Sequence, residues 1–268
     1  MRCGVNLTSP RVVPYVQELL DNSSADFCEI LIDNFLHLDP CQVRDVIGDV
    51  PIGFHIMWSR FMERDERELQ FIARHVREWA SYFNPIYISD HIAQFSFRER
   101  MLPLLAEVDY QQVFGHACER VSVWQQELGC RLLLENFPST LDKDGGQVDF
   151  YRQLQNETGC GLLFDCSNAV IAQLNCGVDL SKWESLARST TNYHIAGFRK
   201  TSGEPSIAID THDVLIEEQS FNALRSILEE KSKSEEEITV VVERDANIDV
   251  LTWKEELDSV RKIYGSIS

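Results

Sequence analysis

The sequence predicts an α/β protein, a TIM-type (β/α)8 barrel forming a single domain over residues 1–268. Three observations predict it. Eight short apolar runs recur along the chain, each followed by a stretch of helical periodicity, which is the alternation of a parallel sheet covered by helices. No linker or low-complexity segment divides them, and the 268 residues match the roughly 250 that one such barrel takes. Several of the runs end in Glu, Asp or His, and in a closed parallel barrel those ends share one mouth. An open doubly wound sheet is the main rival. The chain has neither G-x-G-x-x-G after its first strand nor a phosphate loop, so a nucleotide-binding sheet has little support.

The first strand is Cys3 to Leu7, stopped by Thr8-Ser9-Pro10, with helical spacing through Val16, Leu19 and Leu20. Phe27 to Ile32 is the second, and a helix near Pro40 to Ile47 leads to the third, Ile52 to Met57. From Arg64 to Phe83 the residues Leu69, Ile72, Val76, Trp79 and Phe83 fall three and four apart, one buried face of a long helix. Pro85 to Ile92 is the fourth strand. It is followed by a long connection, Ala93 to Asp109, that carries Phe95, Phe97, Arg98 and Arg100 and is expected to be a loop. After a helix to about Leu128, Arg131 to Phe137 is the fifth strand, and Gly145-Gly146 breaks the chain before a helix ending near Glu157. Gly161 to Asn168 and Tyr193 to Phe198 are the sixth and seventh strands. A loop through Asp210-Thr211-His212-Asp213 and a helix precede the eighth, Ile238 to Asp245, and a last helix carries Val260 and Ile263.

The net charge of −18 argues against nucleic acid as the main partner, because a phosphate backbone calls for a basic face. Part of that acidity is the run Ser234-Glu235-Glu236-Glu237, expected to be a solvated loop. The eight cysteines form no C-x-x-C pair and several sit beside apolar runs, so they read as reduced thiols of a cytoplasmic protein. The N-terminus runs straight into a strand without a signal-peptide core, and no apolar run reaches the length of a membrane span.

The run Leu132-Leu133-Leu134-Glu135-Asn136-Phe137-Pro138 is the centre of the functional reading, since a carboxylate at the tip of a buried strand is costly to desolvate without a partner. Four of the seven histidines, His55, His91, His194 and His212, fall at or just after strand ends, together with Glu135, Asp165 and Glu243, and Asp210 lies two residues before His212. His37, His75 and His116 do not, and read as surface or packing residues. Singly, each acid has a plain explanation: Asp165 as a helix cap, Glu243 as a partner of Arg244, Asp210 and Asp213 as turn residues. Together they are better explained by cations, because so many carboxylates at one mouth would repel one another. Neutral imidazoles with carboxylates suit divalent iron, zinc or manganese, and the absence of a thiolate favours iron or manganese over structural zinc.

Eight segments carry a resemblance that covers nearly the whole chain. They are Ile32-Asp33-Asn34-Phe35, Phe54-His55-Ile56-Met57, Ser89-Asp90-His91-Ile92, Leu134 to Ser139, Leu163 to Ala169, His194-Ile195-Ala196-Gly197, Asp210 to Asp213 and Glu243-Arg244-Asp245. In these the sequence resembles the multinuclear non-haem iron-dependent oxidative enzymes that modify ribosomally made peptides, most closely the methanobactin-biosynthesis (MbnB-type) branch. The resemblance implies a barrel holding two or three iron ions, as a mixed-valent Fe(II)/Fe(III) centre, with dioxygen as co-substrate. It implies His55, His91 and Glu135 at one iron with Glu135 bridging, Asp165, His194 and Glu243 with Glu135 at the second, and Asn168, Asp210 and His212 around a third. Related barrel nucleases and isomerases would have His where Asn168 stands, and an amide is the weaker ligand.

The implied reaction is a four-electron oxidation of a precursor-peptide cysteine and its neighbouring amide to an oxazolone and a thioamide. It also implies a heterodimer with a partner protein of MbnC type, for which Trp58 to Met62 and the connection after His91 are candidate surfaces. A different outcome on cysteine, such as β-carbon excision, and a metal-dependent barrel hydrolase or isomerase remain alternatives. Asp90, Asp213 and Asp245 are candidates for a general base by adjacency only.

Overall fold

The computed structural model describes residues 1–142, 145–231 and 236–267. Ser234 and Glu235 of the acidic run lie outside the described residues. Glu236 and Glu237 are exposed, and Glu237 pairs with Arg2 at 2.8 Å.

In chain order the elements are β1 (Arg2–Leu7), α1 (Val13–Asp21), β2 (Phe27–Leu31), α2 (Pro40–Ile47), β3 (Ile52–His55), α3 (Glu66–Phe83) and β4 (Ile88–His91). There follow β5 (Gln94–Phe97), β6 (Arg100–Ala106), α4 (Tyr110–Leu128), β7 (Leu133–Glu135), α5 (Gly146–Thr158), β8 (Gly161–Asp165) and α6 (Cys166–Cys176). Last come α7 (Glu184–Ala187), β9 (Asn192–Ala196), β10 (Phe198–Lys200), β11 (Ala208–Asp210), α8 (Glu218–Lys231), β12 (Thr239–Glu243) and α9 (Val250–Gly265). Eight strands close into a ring in the order β1-β2-β3-β4-β7-β8-β9-β12 and back to β1, every pair parallel. This is the predicted (β/α)8 barrel. The main apolar core lies between ring and helices, and a smaller cluster of Phe27, Tyr87, Leu133, Leu163 and Val241 fills the barrel interior.

Local chemistry explains the elements. Asp39 accepts from the Cys41 N–H and heads α2 in a capping box with Gln42, and Asp65 caps α3 by accepting the Glu68 N–H. The predicted face of α3 is buried at Leu69, Val76, Trp79 and Phe83, while Ile72 is only half-buried. Asn84 and Gly129 take left-handed conformations that stop α3 and α4.

Two expectations are corrected. The connection after β4 is not a loop: β5 and β6 pair as an antiparallel hairpin with Phe97 opposite Arg100. Its two turn residues, Arg98 and Glu99, both have positive φ, 48° and 64°. That is the backbone of a tight hairpin turn usually signalled by Asn-Gly, a signal this sequence lacks. Likewise the segment before Asp210 is a second hairpin, β10 with β11, with Asp210 opposite Phe198. Asp210 therefore ends a hairpin strand rather than lying in a plain loop. Gly197 makes the corner between β9 and β10, where a Cβ would stand 2.0 Å from the Val214 carbonyl oxygen.

Candidate metal centre

The ring delivers its tips to one place. Glu135 ends β7, His55 ends β3, His91 ends β4, Asp165 ends β8 and Glu243 ends β12. His194 sits in the middle of β9, two residues short of the end expected for it, with its side chain still on the inner face. His212 follows the second hairpin in a left-handed conformation (φ 49°). Its N–H donates to the Gly197 carbonyl at 2.9 Å and its carbonyl accepts from the Asp245 N–H at 2.9 Å. A cavity of about 540 Å³ opens above the tips, lined by His55, His91, Glu135, Asn168, Asp210, His212 and Glu243 among others. Asp165 and His194 lie just behind that lining, with no exposure.

Backbone chemistry sets the neighbours. The Asn136 side chain extends the sheet ladder beyond β7: its amide nitrogen donates to the Asp165 carbonyl at 2.9 Å and its oxygen accepts the Asp165 N–H at 2.8 Å. Asp165 and Glu135 are thereby held side by side. The Tyr151 hydroxyl donates to the Glu135 carbonyl from below. Asp165 does cap a helix, the plain alternative weighed for it, its Oδ1 accepting the Asn168 N–H at 2.7 Å at the start of α6, while its Oδ2 has no hydrogen-bond partner. The plain alternative for Glu243, a pairing with Arg244, is not what forms; Arg244 instead meets Glu256, 3.1 Å from its Nε.

The ring nitrogens are assigned by what surrounds them. His55 Nδ1 lies 2.8 Å from the Ser89 hydroxyl, which itself donates to the Phe54 carbonyl, so Nδ1 carries the proton and Nε2 the lone pair. His91 Nδ1 donates to the Ile56 carbonyl at 3.2 Å with the same result. Both Nε2 atoms then face one carboxylate oxygen, Glu135 Oε2, at 3.4 and 3.0 Å. The other oxygen, Glu135 Oε1, lies 3.5 Å from His194 Nδ1, which is also 3.2 Å from Glu243 Oε2. His194 Nε2 is engaged elsewhere, 2.9 Å from Glu29 Oε2, an oxygen that also accepts the Tyr87 hydroxyl at 2.7 Å. Lone pairs facing lone pairs repel unless a proton or a cation stands between them. Donor atoms that each lie about 2.0–2.2 Å from one ion stand about 3–3.5 Å apart, the spacing found here.

Burial and charge give the same result. Burial drags the His55 imidazole down to about 4. Burial works against charge on His91 as well, but the Glu135 carboxylate outweighs it and raises that imidazole to about 9. His194 is driven up in the same way by Glu243, Glu29 and Glu135 against the cost of its burial. Burial, and then the charges of Glu135 and Glu243, hold Asp165 well above the usual carboxyl range. The cluster thus collects positive charge, as protons, at the points where a cation would sit. Buried side-chain atoms left without a hydrogen bond include Asp165 Oδ2, Asn168 Oδ1, His194 Nδ1, Asp210 Oδ1, His212 Nε2 and Glu243 Oε2. His212 Nε2 and Asp210 Oδ1 approach to 2.8 Å yet do not align as a hydrogen bond, an arrangement that two donors to a common ion would share.

Two groups meet the spacing of a metal site among the described residues, His55–His91–Glu135 and Glu135–Asp165–His194–Glu243, each with ligand atoms within 4.8 Å of one another. They share Glu135. The expected third set is looser. Asn168 is tied by its amide nitrogen to the Asn136 carbonyl at 2.9 Å, and His212 stands 3.9 Å from Glu243.

Among the general-base candidates, Asp90 is buried and accepts the Trp124 indole N–H at 2.8 Å, and Asp213 pairs with Arg199 at 2.9 Å. Only Asp245 borders the cavity, 3.2 Å from His212 Nδ1. Of the two candidate partner surfaces, the stretch from Trp58 to Met62 exposes Trp58 alone, with Phe61 and Met62 buried, while the connection after His91 exposes Phe97, Met101 and Leu104. His37 is exposed, and His75 and His116 bond to the Phe71 and Met62 carbonyls, outside the cavity. Glu29 was missed by reading only the strand tips. Its signal was an acid in the middle of the apolar run Phe27-Cys28-Glu29-Ile30-Leu31.

Among solved structures, a xylose isomerase-like TIM barrel protein from Mycobacterium smegmatis in complex with magnesium superimposes with a TM-score of 0.64 at 12% identity, covering 100% of this chain and 98% of that one. Endonuclease IV from Thermus thermophilus follows at 0.60 and 15%, with 99% and 100% covered. At these identities they show the barrel alone. A UPF0276 protein of Psychromonas ingrahamii is 23% identical over 229 residues, 81% of this chain and 80% of its own. One from Caulobacter vibrioides is 31% identical over 177 residues, 63% and 62% of the two chains. The family model described as RiPP precursor modification enzyme MbnB/TglH/ChrH, for ribosomally made and later modified peptides, matches residues 3–264, and the chain belongs to that family.

Proposed function

We propose that the protein is a dioxygen-dependent, multinuclear iron oxidase acting on cysteine in a ribosomally made precursor peptide of the methanobactin type. The observation that carries this reading is the pair of donor groups sharing Glu135, buried under a cavity, in a member of a peptide-modifying family. His55, His91 and Glu135 would hold one ion, Glu135, Asp165, His194 and Glu243 a second, and Asn168, Asp210 and His212 a third. All the donors are nitrogen or oxygen, which fits iron. When bound, iron with dioxygen supplies a four-electron oxidation in which cysteine and its neighbouring amide become oxazolone and thioamide and dioxygen is reduced to water.

The chain's own residues have plainer roles. Glu135 offers one oxygen to each donor group and so fixes the distance between them. Ser89, the Ile56 carbonyl and Glu29 hold the three imidazoles in the tautomers that leave a lone pair toward the cavity. Asp245 does the same for His212 from the opposite side of the ring. The apolar walls at Phe137, Pro138 and Leu105 limit the water that reaches the floor. Asn168 contributes an amide rather than an imidazole, so the third position would hold its ion more weakly. The reading includes a reducing, cytoplasmic setting, supported by eight free cysteines, and a heterodimer with a partner of MbnC type.

Metal analysis with assays in and out of oxygen tests the reading. The wild-type protein is expected to carry iron and to consume a cysteine-bearing peptide encoded nearby only when oxygen is present. Glu135→Ala is expected to lose both metal groups and all turnover while keeping its far-ultraviolet circular dichroism. Oxygen-dependent turnover retained in Glu135→Ala would refute it.

A further inference from the structure

The mouth of the cavity carries large exposed aliphatic side chains from three separate connections. Leu104 on β6 is 77% exposed, Leu141 after β7 is 72% exposed and Ile209 on β11 is 46% exposed, and all three line the same cavity as the donor cluster. Exposed aliphatics scattered singly need no explanation, but three converging on one opening do.

The backbone around these side chains is fixed by polar stitching between the loops. Glu107, just past β6, accepts the backbone N–H groups of Thr140 and Leu141 at 3.1 and 3.0 Å, while its other oxygen takes the Tyr110 hydroxyl at 3.1 Å. The first hairpin is thereby fastened to the loop after β7. On the other side Asn175 of α6 pairs with both backbone groups of Ala208, at 2.8 and 2.9 Å, and donates to the Ser139 carbonyl at 3.1 Å. That fastens the same loop to β11. A chance greasy patch would not need its backbone fixed from both sides; a recognition surface does, because ordering it in advance removes that cost from binding.

From this we infer that Leu104, Leu141 and Ile209 form an apolar collar that selects peptides whose residues two positions either side of the target cysteine are aliphatic. The inference rests on the peptide-cysteine reading above and adds the class of sequence that reading leaves open. The occupant is the cysteine-bearing segment of the precursor. Its cysteine side chain descends to the floor and the residues two positions either side rest on the collar, since in an extended peptide side chains two apart share a face while immediate neighbours point away. A polar residue at those positions would leave the collar wet and gain nothing from it.

The test uses three fluorescein-labelled pentapeptides, Leu-Gly-Cys-Gly-Leu, Asn-Gly-Cys-Gly-Asn and Leu-Gly-Ser-Gly-Leu, abbreviated Leu-Cys-Leu, Asn-Cys-Asn and Leu-Ser-Leu. Their binding to the iron-loaded protein is read by anisotropy without oxygen. Asn replaces Leu at nearly constant size and with no charge, so repulsion by the acidic chain plays no part. The wild-type protein is expected to bind the Leu-Cys-Leu peptide about tenfold more tightly than Asn-Cys-Asn. In the Leu104→Asn, Leu141→Asn double variant that ratio is expected to fall to near one while iron content stays unchanged. Equal affinity for the two peptides in the wild type, a preference that survives the double replacement, or no binding of Leu-Cys-Leu would each overturn the collar. The Leu-Ser-Leu peptide reports on the function reading separately. If serine binds as well as cysteine while the preference for leucine persists, the thiol has no role at the floor and the collar stands without it.

Discussion

Glu29 holds His194 by Nε2 and turns Nδ1 toward Glu135 and Glu243, and Tyr87 in turn holds Glu29. Each contact restrains the next, and a ligand imidazole with its far nitrogen anchored to a carboxylate is both oriented and made more basic. Glu29→Gln keeps the size but loses the charge, and its amide can turn a donor toward His194. We expect a drop in metal affinity of about 10–100-fold at the group containing His194, with the His55–His91 group less affected. Iron stoichiometry after dialysis against a graded series of chelator would read this, and Tyr87→Phe should follow in the same direction with a smaller effect. Equal retention of metal by Glu29→Gln and wild type would remove Glu29 from the argument.

Among the elements, the corner at Gly197 joins the barrel to the second hairpin. The contact a Cβ would make there is with backbone, the Val214 carbonyl oxygen at 2.0 Å, so no side chain can simply swing aside. Gly197→Ala should cost about 1–3 kcal/mol or more in stability, by the usual toll of overpacking. Because the Gly197 carbonyl also accepts the His212 N–H, the same change should loosen His212 and lower metal content, which thermal unfolding and metal analysis would report together. This is also the scale at which reading the sequence succeeded and failed. Glu135, Asp165 and Glu243 were legible because an acid that ends an apolar run must be served by something at the tip. The hairpins were not, because Arg98-Glu99 adopts positive φ without the glycine or asparagine that would announce it, and because β10 and β11 are three residues each. Glu29 escaped for a different reason. Period-two alternation places a mid-strand residue either inside the barrel or against the helices, and one sequence does not say which.

Across the whole molecule, the eight-fold alternation was plain because the ring strands are buried on both faces and most of the long helices on one, which is the pattern hardest to disguise. Convergence of residues from 29 to 243 on one cavity follows from ring closure, which no local pattern encodes. Ring closure also links the centre to stability. Four buried carboxylates, Glu29, Glu135, Asp165 and Glu243, crowd the open end of the barrel. Ions that bind the folded chain and not the unfolded one raise its stability by mass action, and here they also relieve like-charge repulsion. Stripping metal with a chelator should therefore lower the melting temperature, and iron returned without oxygen should restore it, as differential scanning calorimetry would record. An unchanged melting temperature on stripping would argue that protons alone balance the acids.

The two hairpins stand apart from the ring, since β5 pairs only with β6 and β10 only with β11. The first carries no candidate metal donor, so its tip can drift in sequence, lengthen or be exchanged while the chemistry underneath persists. The second ends in Asp210 and hands the chain to His212, so the same freedom is denied to it. Descendants of such a barrel would therefore diversify their clientele on one bank of the opening while the opposite bank stays anchored.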